Sequence, residues 1–331
     1  MAPRIELDKI QWRPRGKNSR TKYYLRYYGA IALAPEGWLM RRRERLLEGW
    51  ERRPDAAEIR ERVNFCCPIR EPFGLDASAR SIASLRWAHS NYCRDGYEAL
   101  RHFPHAWRFN AAFGDNCLEP PAPAFTKSRP VLAEGGSSNC ALLKLNKVRH
   151  FIFLKDPQPF REKRDDAIFR GASYQAHRKR FLEMWHGHPL VDCADTAKRP
   201  DPAHPQWHGR PITLWEHLRH KFVVSLEGND VASNLKWVMS SNSAAIMPRP
   251  KYETWFMEGR LKPGVHFIPI RDDYSDLEEQ IRWFTAHPDA AEEIIRNAHA
   301  WVERFLDPER ELIISLLVAQ RYFELLRAWQ A

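Results

Sequence analysis

Two short stretches carry side chains and spacing suited to holding a phosphate. The first is Phe169-Arg170-Gly171, with Arg178 seven residues beyond Gly171. The second is Gly228-Asn229-Asp230-Val231-Ala232-Ser233-Asn234-Leu235-Lys236. Glycine permits a tight turn, and small residues after it let main-chain N–H groups come close to an anion. Arg170, Arg178 and Lys236 would add charge-assisted hydrogen bonds to a diphosphate. A plainer reading of the same residues stands beside this one. A strand-end arginine often caps carbonyls, and Glu227-Gly-Asn-Asp230 also reads as an ordinary polar turn.

Other chemistries lack their residues. There is no G-x-G-x-x-G dinucleotide fingerprint, no G-x-x-x-x-G-K-[ST] loop and no G-x-S-x-G nucleophile elbow. No two aspartates stand two apart, so the Asp-x-Asp device for a metal–diphosphate is missing. His186, His188, His204 and His208, with Cys193 between them, offer metal donors. They lie among Pro, Gly and Trp, which favours packing or surface roles over the convergent set a metal needs.

The elements that would position the phosphate residues follow a regular alternation. Ala167–Arg170, Pro189–Cys193, Lys221–Leu226, Ser243–Met247 and Val265–Ile270 read as strands. Tyr174–Trp185, Ile212–Arg219 and Val231–Ser240 read as helices between them. Ser275 with Glu278 is a capping box that opens a helix over Leu277–Phe284. Strands alternating with helices predict βαβ units, a parallel sheet and a doubly wound domain, with ligands beyond the strands' carboxyl ends. Ile294, Ile295, Ala298, Val302 and Phe305 mark one face of a long helix, and a last helix spans Glu309–Leu326. Upstream the pattern is less regular: a basic opening, a helix from Leu39 to about Arg62, then loop-rich sequence around Pro104, Pro120, Pro121 and Pro123. His150–Leu154 reads as a buried strand, and Lys155–Asp165 as a linker.

At 331 residues, 44% apolar and 12% aromatic, the chain can fill substantial cores. Charged residues at 28% and a mean hydropathy of −0.59 exclude an integral membrane protein. Tyr23–Met40 is interrupted by Arg26, Pro35 and Glu36 and does not read as a span. No secretory leader is recognisable, and six cysteines without a C-x-x-C pair suit a reducing compartment. The expected location is therefore cytoplasmic. Of the net charge of +10, residues 1–45 hold +8, from 12 Lys/Arg against 4 Asp/Glu. Arg41, Arg42, Arg43 and Arg45 stand beside Trp38, Leu39 and Met40. Such a head could grip an anionic membrane surface at the inner face of the cytoplasmic membrane, or remain a solvated basic face.

The ordered series Lys221–Pro248, Tyr252-Glu253 and Leu261–Leu277, with the Phe-Arg-Gly block and Arg178, resembles the CAP10-like, or KDEL-motif-type, glycosyltransferases of family 90. The similarity runs from about residue 110 to 310. EGNDVASNLKW, KVRHFIF and PFREKRDDAIFRG resemble its bacterial branch, associated with lipopolysaccharide. The resemblance implies a GT-B-like α/β architecture: two Rossmann-like, doubly wound domains face a cleft, and C-terminal helices pack back across it. Residues 1–155 would form the acceptor-side domain, 156–310 the nucleotide-sugar domain and 311–331 the final helix.

It further implies inverting transfer from a UDP-sugar to a glycan hydroxyl, on lipopolysaccharide core, with no cofactor, no metal and no nucleic-acid partner. Asp115 in Phe113-Gly-Asp-Asn116, ahead of the prolines and Lys127-Ser-Arg129, matches the family's catalytic Asp and would be the base, with Asp230 in reserve. Gly114 stands where animal members commonly carry Arg. The donor would be held by Arg170, Gly171, Arg178, Gly228, Asn229, Asp230, Ala232, Ser233, Asn234, Lys236 and Glu253. Asn234 replaces an Arg of animal members, which shifts phosphate contacts to main-chain amides and the remaining cations. Lys127 and Arg129 would lie on the acceptor side. Two alternatives remain: a protein O-glycosyltransferase acting on Ser/Thr, and a non-catalytic binder of anionic ligands or nucleic acid on the same fold.

Overall fold

Ala167, Ile168 and Phe169 are all buried, yet they serve two different cores. Ile168 joins Val223, Ala245 and Met247 in one; Ala167 and Phe169 join Phe222, Val224, Ala244 and Ile246 in the other. A period of two with apolar groups on both faces marks the interior strands of a parallel sheet covered on each side.

The computed structural model describes residues 17–330; residues 1–16 of the basic head lie outside the described residues. The chain opens with α1 (Arg20–Leu33), α2 (Glu36–Leu47), α3 (Ala56–Cys66), β1 (Arg80–Ser81), α4 (Asn91–Leu100) and β2 (Arg108–Phe109). β3 (Ala111–Ala112), β4 (Ala124–Thr126), β5 (Ser128–Pro130), β6 (Cys140–Leu142) and α5 (Lys147–His150) follow. β3, β4 and β6 form a small parallel sheet with β4 in the centre.

The second half runs β7 (Arg164–Gly171), α6 (Ala176–Trp185), β8 (Val191–Asp195), α7 (Leu214–His217), β9 (His220–Val224), α8 (Leu235–Met239), β10 (Ala244–Met247), β11 (Tyr252–Thr254) and β12 (Ile268–Pro269). α9 (Leu277–Ala286), α10 (Pro288–Glu303) and α11 (Pro308–Gln330) close it. Its five-stranded sheet is parallel throughout, in the order β12-β10-β9-β7-β8. The chain passes from β7 outward to β8, then back across β7 to β9. The switch point therefore lies between the carboxyl ends of β7 and β9, where an open parallel sheet forms its crevice.

Helices cover both faces. Phe181 and Leu182 of α6, Ile281 of α9 and Ile294 of α10 pack on one; Val238 of α8 and Trp301 of α10 pack on the other. The second of these cores continues into the first half of the chain as far as Tyr27 and takes in Ile313, Val318 and Tyr322 of α11. α11 thus packs back across the N-terminal half. Glu311 anchors it: its carboxylate meets Arg62 of α3 at 2.5 Å, Lys144 at 2.7 Å and the Trp255 indole N–H at 2.7 Å. β11 pairs antiparallel with β5, which ties the two halves by a second route.

Several expectations change. The N-terminal half carries less sheet than a doubly wound domain would lead one to expect: among the described residues its parallel sheet has three strands of two or three residues. The helix expected over Leu39–Arg62 is two, because Gly49 adopts a left-handed φ of 72° and Pro54 follows. His150–Leu154 is no strand. His150 ends α5, and the buried segment after it bonds to side chains instead of a ladder, with the Leu154 amide donating to Ser240 Oγ at 3.1 Å. The capping box at Ser275 does not form. Its hydroxyl donates to Asp273 Oδ1 at 2.8 Å, a local turn that competes with the cap. The helix expected from Val231 starts only at Leu235, which leaves residues 225–234 as an irregular loop.

Candidate active site

The two parallel sheets turn their carboxyl ends toward one another. Asp115 follows β3, Lys127 follows β4, and Arg149 lies on α5 beyond β6. From the larger sheet, the loop after β9 brings Gly228 and Asp230. Lys127 joins the two sides: its Nζ lies 2.5 Å from Asp115 Oδ1 and 2.5 Å from Asp230 Oδ2. Ser128 Oγ donates to the same Asp230 oxygen at 2.8 Å. The preferred and the reserve base read from the sequence are therefore opposite ends of one bridge, on a lysine only 2% exposed.

Asp115 receives two more donors, the Tyr92 hydroxyl at 2.6 Å and Arg149 Nη1 at 2.9 Å. Burial would raise the proton affinity of this carboxyl. Lys127, then Tyr92 and Arg149, outweigh burial and hold it well below the usual carboxylate range. His150, beside it and buried, is neutral: desolvation and the surrounding Lys127, Lys236 and Arg149 push its pKa well down. Neither of its ring nitrogens has a hydrogen-bond partner among the described residues.

Arg178 organises the far wall. Its Nε donates to the Glu227 carbonyl at 2.7 Å, Nη1 to Ala172 O at 2.9 Å and Nη2 to Leu226 O at 2.7 Å, fastening the loops after β7 and β9 together. The glycines explain how it fits. A Cβ at Gly171 would come within 3.3 Å of Arg178 Nη1, and one at Gly228 within 3.4 Å of Nη2. Burial, then repulsion from Arg149, lowers the Arg178 pKa to about 10, so the group stays charged at neutral pH without a carboxylate partner among the described residues. Asn229 is exposed at the rim and accepts from Gln175 Nε2 at 2.7 Å; Asn234 Nδ2 donates to Val224 O at 3.0 Å and holds the loop's return. Ala232 is buried and Ser233 half-buried in the same loop.

Other expected donor residues have partners elsewhere. Strand alternation turns Arg170 toward β8, where it pairs with Asp192 at 2.6 Å. Lys236 is sealed in the core against Glu258 at 2.6 Å, between the rings of Phe151 and Phe256. Glu253 and Arg129 pair at 2.8 Å on neighbouring positions of β11 and β5. They face away from Ser128, beneath a cavity of about 480 Å³ also lined by Phe65 and Leu132. None of Asp115, Lys127, Asp230 or Arg178 lines that cavity. The histidines considered for metal pack instead: His204 stacks on Trp207 at 3.8 Å, and His188 meets the Trp185 edge.

The chain is similar to known proteins. Residues 142–329 match glycosyl transferase family 90. The chain is 43% identical over 312 residues to O-glucosyltransferase LpsA of Dichelobacter nodosus, covering 93% of this chain and 96% of that one. The chain belongs to glycosyl transferase family 90. It is a glycosyltransferase. At lower identity the chain is similar to human protein O-glucosyltransferase 1, at 23% over 57% of this chain and 54% of that protein. It is also similar to human protein O-glucosyltransferase 3, at 24% over 49% and 32%. Asp115, Lys127 and Arg129 precede the residues matched to the family.

Tyr92, Ser128, Arg149, His150 and Glu227 were not among the residues expected in this family-90 site. Arg149 and His150 stand in KVRHFIF, where apolar neighbours suggested a strand and hid a helical turn aimed at the crevice. Tyr92, on α4, carried no signal.

Proposed function

We propose that the protein is an inverting, metal-independent transferase of GT-B-like arrangement that moves glucose from UDP-glucose to a hydroxyl of a bacterial surface glycan, with lipopolysaccharide core as acceptor. The observation that carries this reading is the Asp115–Lys127–Asp230 bridge where the carboxyl ends of two parallel sheets meet. One side supplies a carboxylate to accept the acceptor's proton; the other supplies a glycine loop and Arg178 for the diphosphate. In the reaction the acceptor O–H proton passes to Asp115 and the acceptor oxygen bonds to the anomeric carbon. The bond from that carbon to the β-phosphate oxygen breaks, its electron pair leaving with UDP. Fixed cations meet the new charge, so the reading requires no divalent ion.

Glucose is favoured by the names of the relatives, and the glycan acceptor by the resemblance to the bacterial branch. Transfer to protein Ser/Thr has weaker support, since relatives so named share less identity over about half the chain. The test is UDP release from UDP-glucose with candidate glycans in EDTA. Asp115→Asn is expected to keep UDP binding and to lose turnover by about 10²–10⁴-fold. Wild-type turnover by that variant removes Asp115 as the base, and turnover that vanishes in EDTA removes the metal-independent mechanism.

A further inference from the structure

In the unliganded protein Asp115 is a poor base, because three donors already occupy its oxygens. The groups facing it are Tyr92 from α4, Lys127 from the β4–β5 turn, and Arg149 and neutral His150 from α5, with Asp230 reaching it through Lys127. Two of its three donors are held in place. Lys127 is buried and gripped by Asp230 as well, and the Tyr92 hydroxyl also accepts from Asn146 Nδ2 at 3.3 Å. Arg149 differs: its side chain is 56% exposed, and among the described residues its one ion pair is with Asp115.

Arg149 also bears on the opposite wall. Its charge repels Arg178, an effect that Asp195 and Glu227 offset only in part, and Arg178 makes no direct ion pair among the described residues. Asp115, Asp230, Lys127 and Arg149 cancel one another's charge, and Arg178 adds a cation whose donors meet main-chain carbonyls and no carboxylate. Through Asp115, Lys127 and Asp230, Arg149 is linked to the loop after β9 that Arg178 fastens, and a diphosphate at that loop would offer planar guanidinium donors several oxygens at once.

We infer that Arg149 is exchanged during the reaction: it holds Asp115 in the free enzyme and passes to the donor's diphosphate on binding, which unmasks Asp115 as the base. The inference rests on the donor reading above and adds a diphosphate ligand to it. Once Arg149 leaves, Asp115 keeps Lys127 and Tyr92 but regains an open oxygen, Oδ2, and proton affinity. The acceptor hydroxyl proton goes to that oxygen, and the C–O bond to phosphate breaks with its electron pair passing to UDP. Arg149 and Arg178 then neutralise the added negative charge. Acceptor activation thus waits for the donor, which limits reaction with water in the empty site.

The experiment is calorimetric titration of the full chain with UDP. Arg149→Gln is expected to weaken UDP at least about tenfold. Arg149→Lys, which keeps the charge but not the fork, is expected to recover part of the loss. Asp115→Asn is expected to tighten UDP severalfold, because the carboxylate that competes for Arg149 is gone; a purely structural Arg149–Asp115 pair gives no such gain. Arg149 is exposed, so unchanged thermal midpoints separate these effects from misfolding. Wild-type affinity in Arg149→Gln, or no gain in Asp115→Asn, overturns the exchange while leaving the UDP reading intact. Failure of the wild-type protein to bind UDP overturns both.

Discussion

Glu227 holds the loop after β9 with both its main chain and its side chain. Its carbonyl accepts from Arg178 and His177, and its Oε1 accepts from the Lys251 and Tyr252 amides at 2.9 and 3.1 Å. Burial nevertheless dominates and raises its pKa from 4.5 to about 7. Between those values the folded protein keeps a proton that the unfolded chain has released. Stability from this group is therefore fully present below about pH 4.5 and falls as pH rises through about 7. Glu227→Gln is expected to raise the thermal midpoint at pH 8.5 by about 1–2 °C, roughly 1 kcal/mol after allowing for partial solvent contact, and to change little at pH 4. An equal shift at both pH values would show that ionisation is not the cause. The same scale shows what the sequence could convey. Asp115, Lys127 and Asp230 were legible as motif residues, although not as one bridge. Arg170 and Lys236 were assigned to phosphate by their nearness to a glycine turn. Their side-chain directions, toward β8 and into the core, depend on strand and helix phase that spacing alone does not fix.

Among the elements, the central strands were readable because a doubly covered parallel strand must be apolar on both faces. β7, β9 and β10 fall within a few residues of expectation. Phe151–Leu154 has the same composition but packs without a ladder, and no local pattern distinguishes the two. The contribution of α11 to the site was not readable either, since it arises from one long-range pair. The Tyr322 hydroxyl accepts from the Asn110 amide at 3.0 Å and donates to Pro123 O at 3.1 Å. These two residues bracket the segment carrying β3 and Asp115, so a helix far along the chain fixes the Asp115 loop at both ends. Tyr322→Phe leaves the buried Asn110 amide unpaired, while Pro123 O keeps its bond from Asn110 Nδ2, and is expected to cost about 1–3 kcal/mol. Turnover should fall as well, with UDP binding nearly unchanged. A thermal midpoint equal to wild type would show that the loop does not depend on α11.

Over the whole molecule, positive charge gathers at one end of the sequence, where several exposed aromatic residues also lie. Residues 17–45 carry eight Lys/Arg against two Asp/Glu. Leu25, Tyr28, Trp38 and Trp87 are exposed in this half, and Tyr27 ties α1 to the turn before Trp87 through its bond to Arg86 O at 2.8 Å. Among the described residues no helix is long and apolar enough to cross a membrane. Basic and aromatic groups together suit contact with an anionic bilayer, which would bring a lipid-linked acceptor to the crevice. Sedimentation with vesicles containing phosphatidylglycerol should retain the protein at low salt and release it as salt rises. Trp38→Ser together with Arg41→Gln should weaken retention. Equal retention on neutral phosphatidylcholine vesicles would argue against this contact. The placement of α11 has a consequence in time. Pro123 and Tyr322 are 199 residues apart, so at about 5–20 residues per second a ribosome needs roughly 10–40 s to supply the partner. Throughout that delay the nascent sheet around Phe125 lacks its cover, and its solubility depends on whatever shields it beside the exit tunnel.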